Sequence, residues 1–343
     1  MTNTQYLHKS LHFPIFGQNN RNMIVVTGAE GFIGSCLVAR LNADGFNDLI
    51  LVDDFGHPER KLNLDGKQFT AKVERTDFFN WLDAHQNGVQ FIFHIGARTD
   101  TTEMDEAIFK LLNIDFTETL WQKCVQYGLP IVYASSAATY GEGEFGYDDD
   151  ESQLDKLQPL NPYGRSKHTI DRWVVGQSEK PFFWAGLKFF NVYGPNEYHK
   201  GRMASVIMHA YNQIMENGRV KLFRSHREDY NDGEQKRDFI YVNDLVDVCI
   251  YLMHTRKKSG IYNLGTGTAR TWNDLIGSIF AALNKPLAID YIDIPADIRD
   301  KYQYFTEANM NKLRTAGYNK PFTPIEEGVK EYVQNYLTKH TYR

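Results

Sequence analysis

Apolar positions along the chain follow two rhythms. Met23-Ile-Val-Val-Thr27, Leu49-Ile-Leu-Val-Asp53, Phe91-Ile-Phe-His94 and Ile131-Val-Tyr-Ala-Ser-Ser136 are short, nearly continuous apolar runs, the mark of strands buried on both faces. Between them, apolar residues recur three and four apart, which predicts helices from the glycine turn to Leu41, from Asn113 to Tyr127, and from the segment opening at Asn161 to about Val175. Strands alternating with helices predict an α/β fold of Rossmann type, a doubly wound parallel sheet. Leu187 to Pro195 reads as a strand leaving that sheet, because Gly194-Pro195 cannot continue a ladder, and a smaller α/β unit is expected to begin there.

Local composition refines this outline. Residues 1–22 lack the apolar core of a secretory signal and read as an N-terminal extension. Tyr147-Asp-Asp-Asp-Glu151 reads as a solvated acidic edge, and residues 224–237, charged and containing glycine, as a mobile loop. Gly260 to Gly267 reads as a strand and a structural turn, since no lysine follows as a phosphate loop of the Walker kind requires. His94 reads as structural.

At 343 residues, with 42% hydrophobic and 24% charged residues, the chain has room for a large core and a smaller lobe. No apolar run approaches bilayer length, which argues against a membrane protein. A net charge of −5 without a polybasic block argues against nucleic acid and anionic lipid, and leaves a small molecule as the expected partner. Cys36, Cys124 and Cys249, widely spaced in apolar surroundings, read as reduced core thiols of a cytoplasmic protein, with no disulfide framework and no metal site.

The first strand runs into Gly28-Ala-Glu-Gly31-Phe-Ile-Gly34, a variant of the dinucleotide fingerprint. Its glycines allow a tight turn, close approach of backbone to a pyrophosphate, and contact of helix with strand, and the helix N-terminus receives the phosphate charge. Asp53 follows ~20 residues on, where a carboxylate grips the adenosine ribose. Asp53 and Asp54 favour NAD, whereas Arg60 and Lys61 would neutralise the extra phosphate of NADP, so both cofactors stay open. Tyr163 and Lys167, four apart at the start of a helix, share one face, where an ammonium would lower a phenol pKa from ~10 toward that of a general base. Ser135 and Ser136, at a strand's carboxyl end, face the same crevice.

Together the glycine turn, the serine-rich strand end and the Tyr163/Lys167 pair resemble the extended short-chain dehydrogenase/reductase family of NAD-dependent epimerases and dehydratases. YASSAATYG (133–141), FNVYGP (190–195), HKGRMAS (199–205), KRDF (236–239), NLGTG (263–267) and YQYFTEA (302–308) resemble its ADP-heptose 6-epimerase branch, and the likeness runs from about Met23 to Leu337. The resemblance implies that a tightly bound nicotinamide, NADP or NAD, takes hydride from carbon 6, that the ketone reorients, and that hydride returns to the other face. It implies two acid/bases, Tyr163 and Lys200, with Ser136 on the reacting oxygen and Lys167 on the nicotinamide ribose. Phe32, Ile33, Asp53, Asp54, Arg60, Arg75 and Asn113 would surround the dinucleotide, the loop Ile95-Gly96-Ala97-Arg98-Thr99 would pass beneath it, and Val192 would lie at its nicotinamide end. Asn191, Arg202, His209, Phe223, Arg237 and Tyr302 would meet the nucleotide sugar, Arg237 offering its planar fork to the diphosphate. Residues 23–190 plus about 239–265 would form the dinucleotide domain, and about 191–238 plus 266–343 the nucleotide-sugar domain. A homo-oligomer, a pentamer, is implied as well, in lipopolysaccharide core synthesis.

Against that branch, Asp54 stands for a common Asn, Arg60 for Lys and Arg202 for a small Ser. A 4,6-dehydratase needs a carboxylate pair where this chain has Ala137-Ala138. A UDP-hexose 4-epimerase, which needs no Lys200, and a non-catalytic dinucleotide sensor are the alternatives.

Overall fold

The computed structural model describes residues 22–295, 299 and 302–343, so the extension read over residues 1–22 lies outside it apart from Asn22. Thirteen strands are described: β1 Met23–Thr27, β2 Leu49–Asp53, β3 Ala71–Glu74, β4 Val89–His94, β5 Ile131–Ser136, β6 Trp184–Phe189, β7 Asn191–Tyr193, β8 Val220–Phe223, β9 Lys236–Arg237, β10 Phe239–Tyr241, β11 Gly260–Leu264, β12 Arg270–Thr271 and β13 Ile289–Ile292. Seven form one parallel sheet in the order β11-β6-β5-β4-β1-β2-β3. The runs read as doubly buried strands are so: Ile24, Val25, Val26 and Phe91 to Phe93 are wholly enclosed. Three two-stranded pairs, β7 with β10, β9 with β12 and β8 with β13, lie outside that sheet.

Helices Phe32–Ala43 and Pro162–Gly176 lie between strands of the sheet, and Val242–Thr255 leads from β10 into β11. Pro162 occupies the first turn of its helix and the Asn161 side chain accepts from the Gly164 amide at 2.8 Å, which sets where the Tyr163/Lys167 face begins. The helix expected from Asn113 starts earlier, at Glu106, and runs as α-helix to Phe109, as π-helix over Lys110–Asp115 and as α-helix over Phe116–Tyr127. The π-turn breaks the apolar rhythm that marks a helix in sequence. All three cysteines are free and buried.

The acidic stretch is the solvated edge expected from its composition only at Asp148 and Asp150, which are exposed. Asp149 accepts from the Asn263 amide at 2.7 Å and Glu151 from the Ile261 amide at 2.9 Å, so two carboxylates serve the outer amides of edge strand β11. The charged loop of residues 224–236 is tied internally by Ser225 to Asp232 and outward by the His226 amide to the Tyr304 hydroxyl.

Burial raises the Asp149 carboxyl to about 6, above the ~3.9 of an unfolded chain. The folded state then holds the proton more tightly, so the stability from this group is present below about pH 4 and lost as pH rises through its folded value. Asp149→Asn, which keeps an acceptor for Asn263, should therefore gain in melting temperature relative to wild type between pH 4 and pH 7 by calorimetry, those pH values being roughly the two ends of the titration. A constant difference would contradict this.

Candidate active site

The glycine turn is built from steric need. Gly28 has φ +67°, and a Cβ there would lie 2.5 Å from the Gly96 Cα, while a Cβ on Gly34 would run into the Gly28 carbonyl. Gly31 caps the following helix without a side chain, leaving the first-turn amides to a ligand. Beside them opens a cavity of about 610 Å³, lined by every residue proposed above for the cofactor except Lys61, Asn113, Lys167 and Val192. Free amides, a glycine cradle and this volume fit a dinucleotide.

Its far end carries both charge signs. The Asp53 carboxylate accepts from the Glu30 amide at 2.9 Å and from Arg60 at 3.2 Å, and Arg75 and His57 lie 3.7 and 3.5 Å from Asp54. Lys61 is exposed and off the cavity, contrary to its expected part in phosphate binding. Asn113, expected beside the dinucleotide, instead clamps the Ile95–Thr99 loop: its side chain accepts from the Arg98 amide at 2.8 Å and donates to the Arg98 carbonyl and to Ser166. His94 is structural as expected, bonded to Thr27 and Thr117, and burial with the nearby Lys167 charge pushes its pKa down to about 3.

A second cavity of about 310 Å³ shares Phe32, Ile33, Ile95, Ala97, Thr99, Lys200 and Met203 with the first, so the two adjoin. Ser136, Tyr163, Lys167, Asn191, Val192 and Lys200 all line it. Ser136, the last residue of β5, faces this cavity with Tyr163 and accepts from the Ala138 amide at 3.1 Å. Lys167 donates to the Ala134 carbonyl at 2.8 Å. Burial pushes its ammonium down to about 8, with Asp171 pulling the other way.

The expected acidification of Tyr163 by Lys167 is not found. Burial raises the phenol, opposed by the Ser136 hydrogen bond, because withdrawal from water penalises the phenolate just as it penalises the ammonium. Lys200 sits on a tight turn, Tyr198–Met203, its amide donating to the Glu197 carbonyl at 2.9 Å. Its ammonium is lowered by burial and supported by the Glu197 charge. Glu197 is a buried carboxylate of the same cavity, bonded to the Ser205 hydroxyl at 2.6 Å. Residue pattern alone did not single it out.

Of the substrate candidates only Asn191 lines this cavity. Phe223, Arg237 and Tyr302 form a cluster next to it: the Arg237 guanidinium lies 5.7 Å from the rings of Tyr302 and Trp272, and Phe223 meets Tyr302 edge to face at 5.9 Å. Trp272, missed in the sequence, joins the cluster to the cavity it lines. The Arg237 fork is not open as expected but donates to the carbonyls of Lys236 and Gln303. Arg202 is exposed and paired with Asp100 at 3.3 Å, and His209 reaches the Arg202 carbonyl. Among the described residues no cluster of metal-ligating side chains occurs, and no helix is long and apolar enough to cross a membrane.

A Rossmann sheet with a capless glycine turn opening onto a Ser-Tyr-Lys wall defines a dinucleotide-dependent redox enzyme. The chain belongs to the NAD dependent epimerase/dehydratase family, whose model matches residues 24–265. It is 47% identical over 327 residues to the ADP-L-glycero-D-manno-heptose-6-epimerase of Fusobacterium nucleatum, covering 92% of this chain and 98% of that one. The enzyme of the same name from Nitratidesulfovibrio vulgaris is 45% identical over 318 residues, with coverage of 92% and 98%. Among solved structures, the Helicobacter pylori ADP-L-glycero-D-manno-heptose-6-epimerase superposes with a TM-score of 0.76 at 26% identity, covering 94% of this chain and 98% of that one. Thermus thermophilus UDP-glucose 4-epimerase in complex with NAD gives 0.72 at 26% identity, with coverage of 92% and 99%.

Gly28→Ala should destabilise the fold by about 1–3 kcal/mol and abolish dinucleotide binding in a fluorescence titration. Wild-type affinity in a folded variant would contradict the cradle.

Proposed function

We propose that this protein inverts carbon 6 of ADP-D-glycero-D-manno-heptose to give ADP-L-glycero-D-manno-heptose, with Tyr163 and Lys200 as its two acid/bases. The observation that carries the reading is that two proton-exchanging side chains from separate elements, one on the helix Pro162–Gly176 and one on the turn Tyr198–Met203, line the same cavity. Such a pair serves inversion in which each position of the reacting hydroxyl, one in the substrate and another in the product, is met by its own base. A hexose 4-epimerase has no use for the second base. The likeness to relatives of that name, over nearly the whole chain, supports the same substrate.

A bound nicotinamide supplies the acceptance and return of hydride. The chain's own residues handle the proton and the geometry. Ser136 holds the reacting oxygen beside Tyr163, and Lys167 anchors the cofactor's ribose. Lys200, whose burial favours the neutral amine, takes or gives the proton at the other position of the hydroxyl. NADP is the cofactor proposed here, and Asp54 makes the site compatible with NAD; mass spectrometry of what the denatured protein releases reads which. The reading extends to a cytoplasmic homo-oligomer.

Purified protein without added nicotinamide should interconvert the two ADP-heptose epimers, followed by NMR of the sugar. Turnover of a UDP-hexose in place of ADP-heptose would overturn the substrate assignment. Tyr163→Phe and Lys200→Met should each lower epimerisation by about 100-fold or more, and a fully active Lys200→Met enzyme would rule out the two-base reading.

A further inference from the structure

We propose that Lys188 and Asp171, a buried ion pair directly behind the reacting cavity, are positioning residues that set where Ser136 stands relative to Tyr163 in the cavity wall. The inference rests on the roles given to those two residues above.

Both side chains are fully enclosed and lie 2.7 Å apart. Asp171 stands one turn after Lys167 on the same helix, and its carboxylate also accepts from the Ser135 hydroxyl at 2.7 Å and the Tyr133 hydroxyl at 3.1 Å. Lys188, on β6, donates to the Thr139 hydroxyl at 2.6 Å and lies 4.9 Å from the centre of the Tyr140 ring. Thr139 in turn donates to the Ser136 carbonyl at 2.8 Å. The pair therefore bolts three elements together: the helix that carries Tyr163 and Lys167, the end of β5 that carries Ser135 and Ser136, and β6, which leads into Asn191 and Val192. Each contributes to the cavity wall.

An enclosed ion pair is weak evidence for stability, because withdrawing two charges from water offsets most of their attraction, and well-packed uncharged replacements are often as stable. What an uncharged pair cannot supply is the directional tie. Without it the tyrosine helix loses its link through Lys188 and Thr139 to the serine strand end and keeps the Lys167 bond to the Ala134 carbonyl, and a shift of about 1 Å in a reacting group costs on the order of 100-fold in rate.

The test is the double variant Lys188→Met with Asp171→Asn, which leaves no lone buried charge, assayed beside wild type. The expected result is a folded protein with a melting temperature close to wild type, KM within about threefold, and kcat lower by about 10- to 100-fold. A folded double variant with wild-type kcat overturns the proposal, and so does failure to fold, which would make the pair a requirement of the fold. An equal rise in KM without loss of kcat also counts against it. Absence of ADP-heptose turnover in the wild type is a separate result, which bears on the function and not on the pair.

Discussion

The strand order imposes the constraint on which the site depends. β1 pairs with β2 on one side and β4 on the other, so the loops that follow β1 and β4 part at the carboxyl edge and leave a crevice between them. The crevice is only as deep as the backbones allow. Gly28 and Gly96 approach each other so closely that a side chain on either would fill the space, and Gly34 brings its helix down onto the same turn. From that point outward β5 and its helix add Ser136, Tyr163 and Lys167, and the turn after β7 adds Lys200.

Enclosure gives the site its chemistry by a single cause. Withdrawal from water disfavours charge, so Tyr163 is raised while Lys167 and Lys200 are lowered, each toward its neutral form. Nearby groups correct each one separately: Ser136 for the phenol, Asp171 for Lys167, Glu197 for Lys200. The intuitive picture of a lysine acidifying the tyrosine one turn away gives way to one in which the lysine's proton is directed to the Ala134 carbonyl, and a hydroxyl on the neighbouring strand steadies the phenol.

Much of this was legible in the sequence because it is local. Buried strands write themselves as β-branched runs, the turn as three spaced glycines, and Tyr163 with Lys167 as residues one helical turn apart. Other features depend on neighbours distant along the chain. Asp149 and Glu151 read as solvated until β11 is seen to need acceptors for its outer amides, and Asp171 and Lys188 stand in no motif, their pairing visible only where both prove fully buried. Asn113 was placed near the right loop, but its bonds to that loop's backbone and to Ser166 follow from no motif, and Trp272 and Glu197 carry none either. The early start of the helix at Glu106 was hidden by a π-turn whose period differs from the one that reveals helices.

The central claim is that carbon 6 is oxidised and reduced in place, its hydrogen held by the cofactor between the two half-reactions, while Tyr163 and Lys200 exchange only the hydroxyl proton. Epimerisation carried out in deuterium oxide, with the product read by mass spectrometry and NMR, tests this most directly. The account predicts a product with no deuterium at carbon 6, and deuterium there would contradict it.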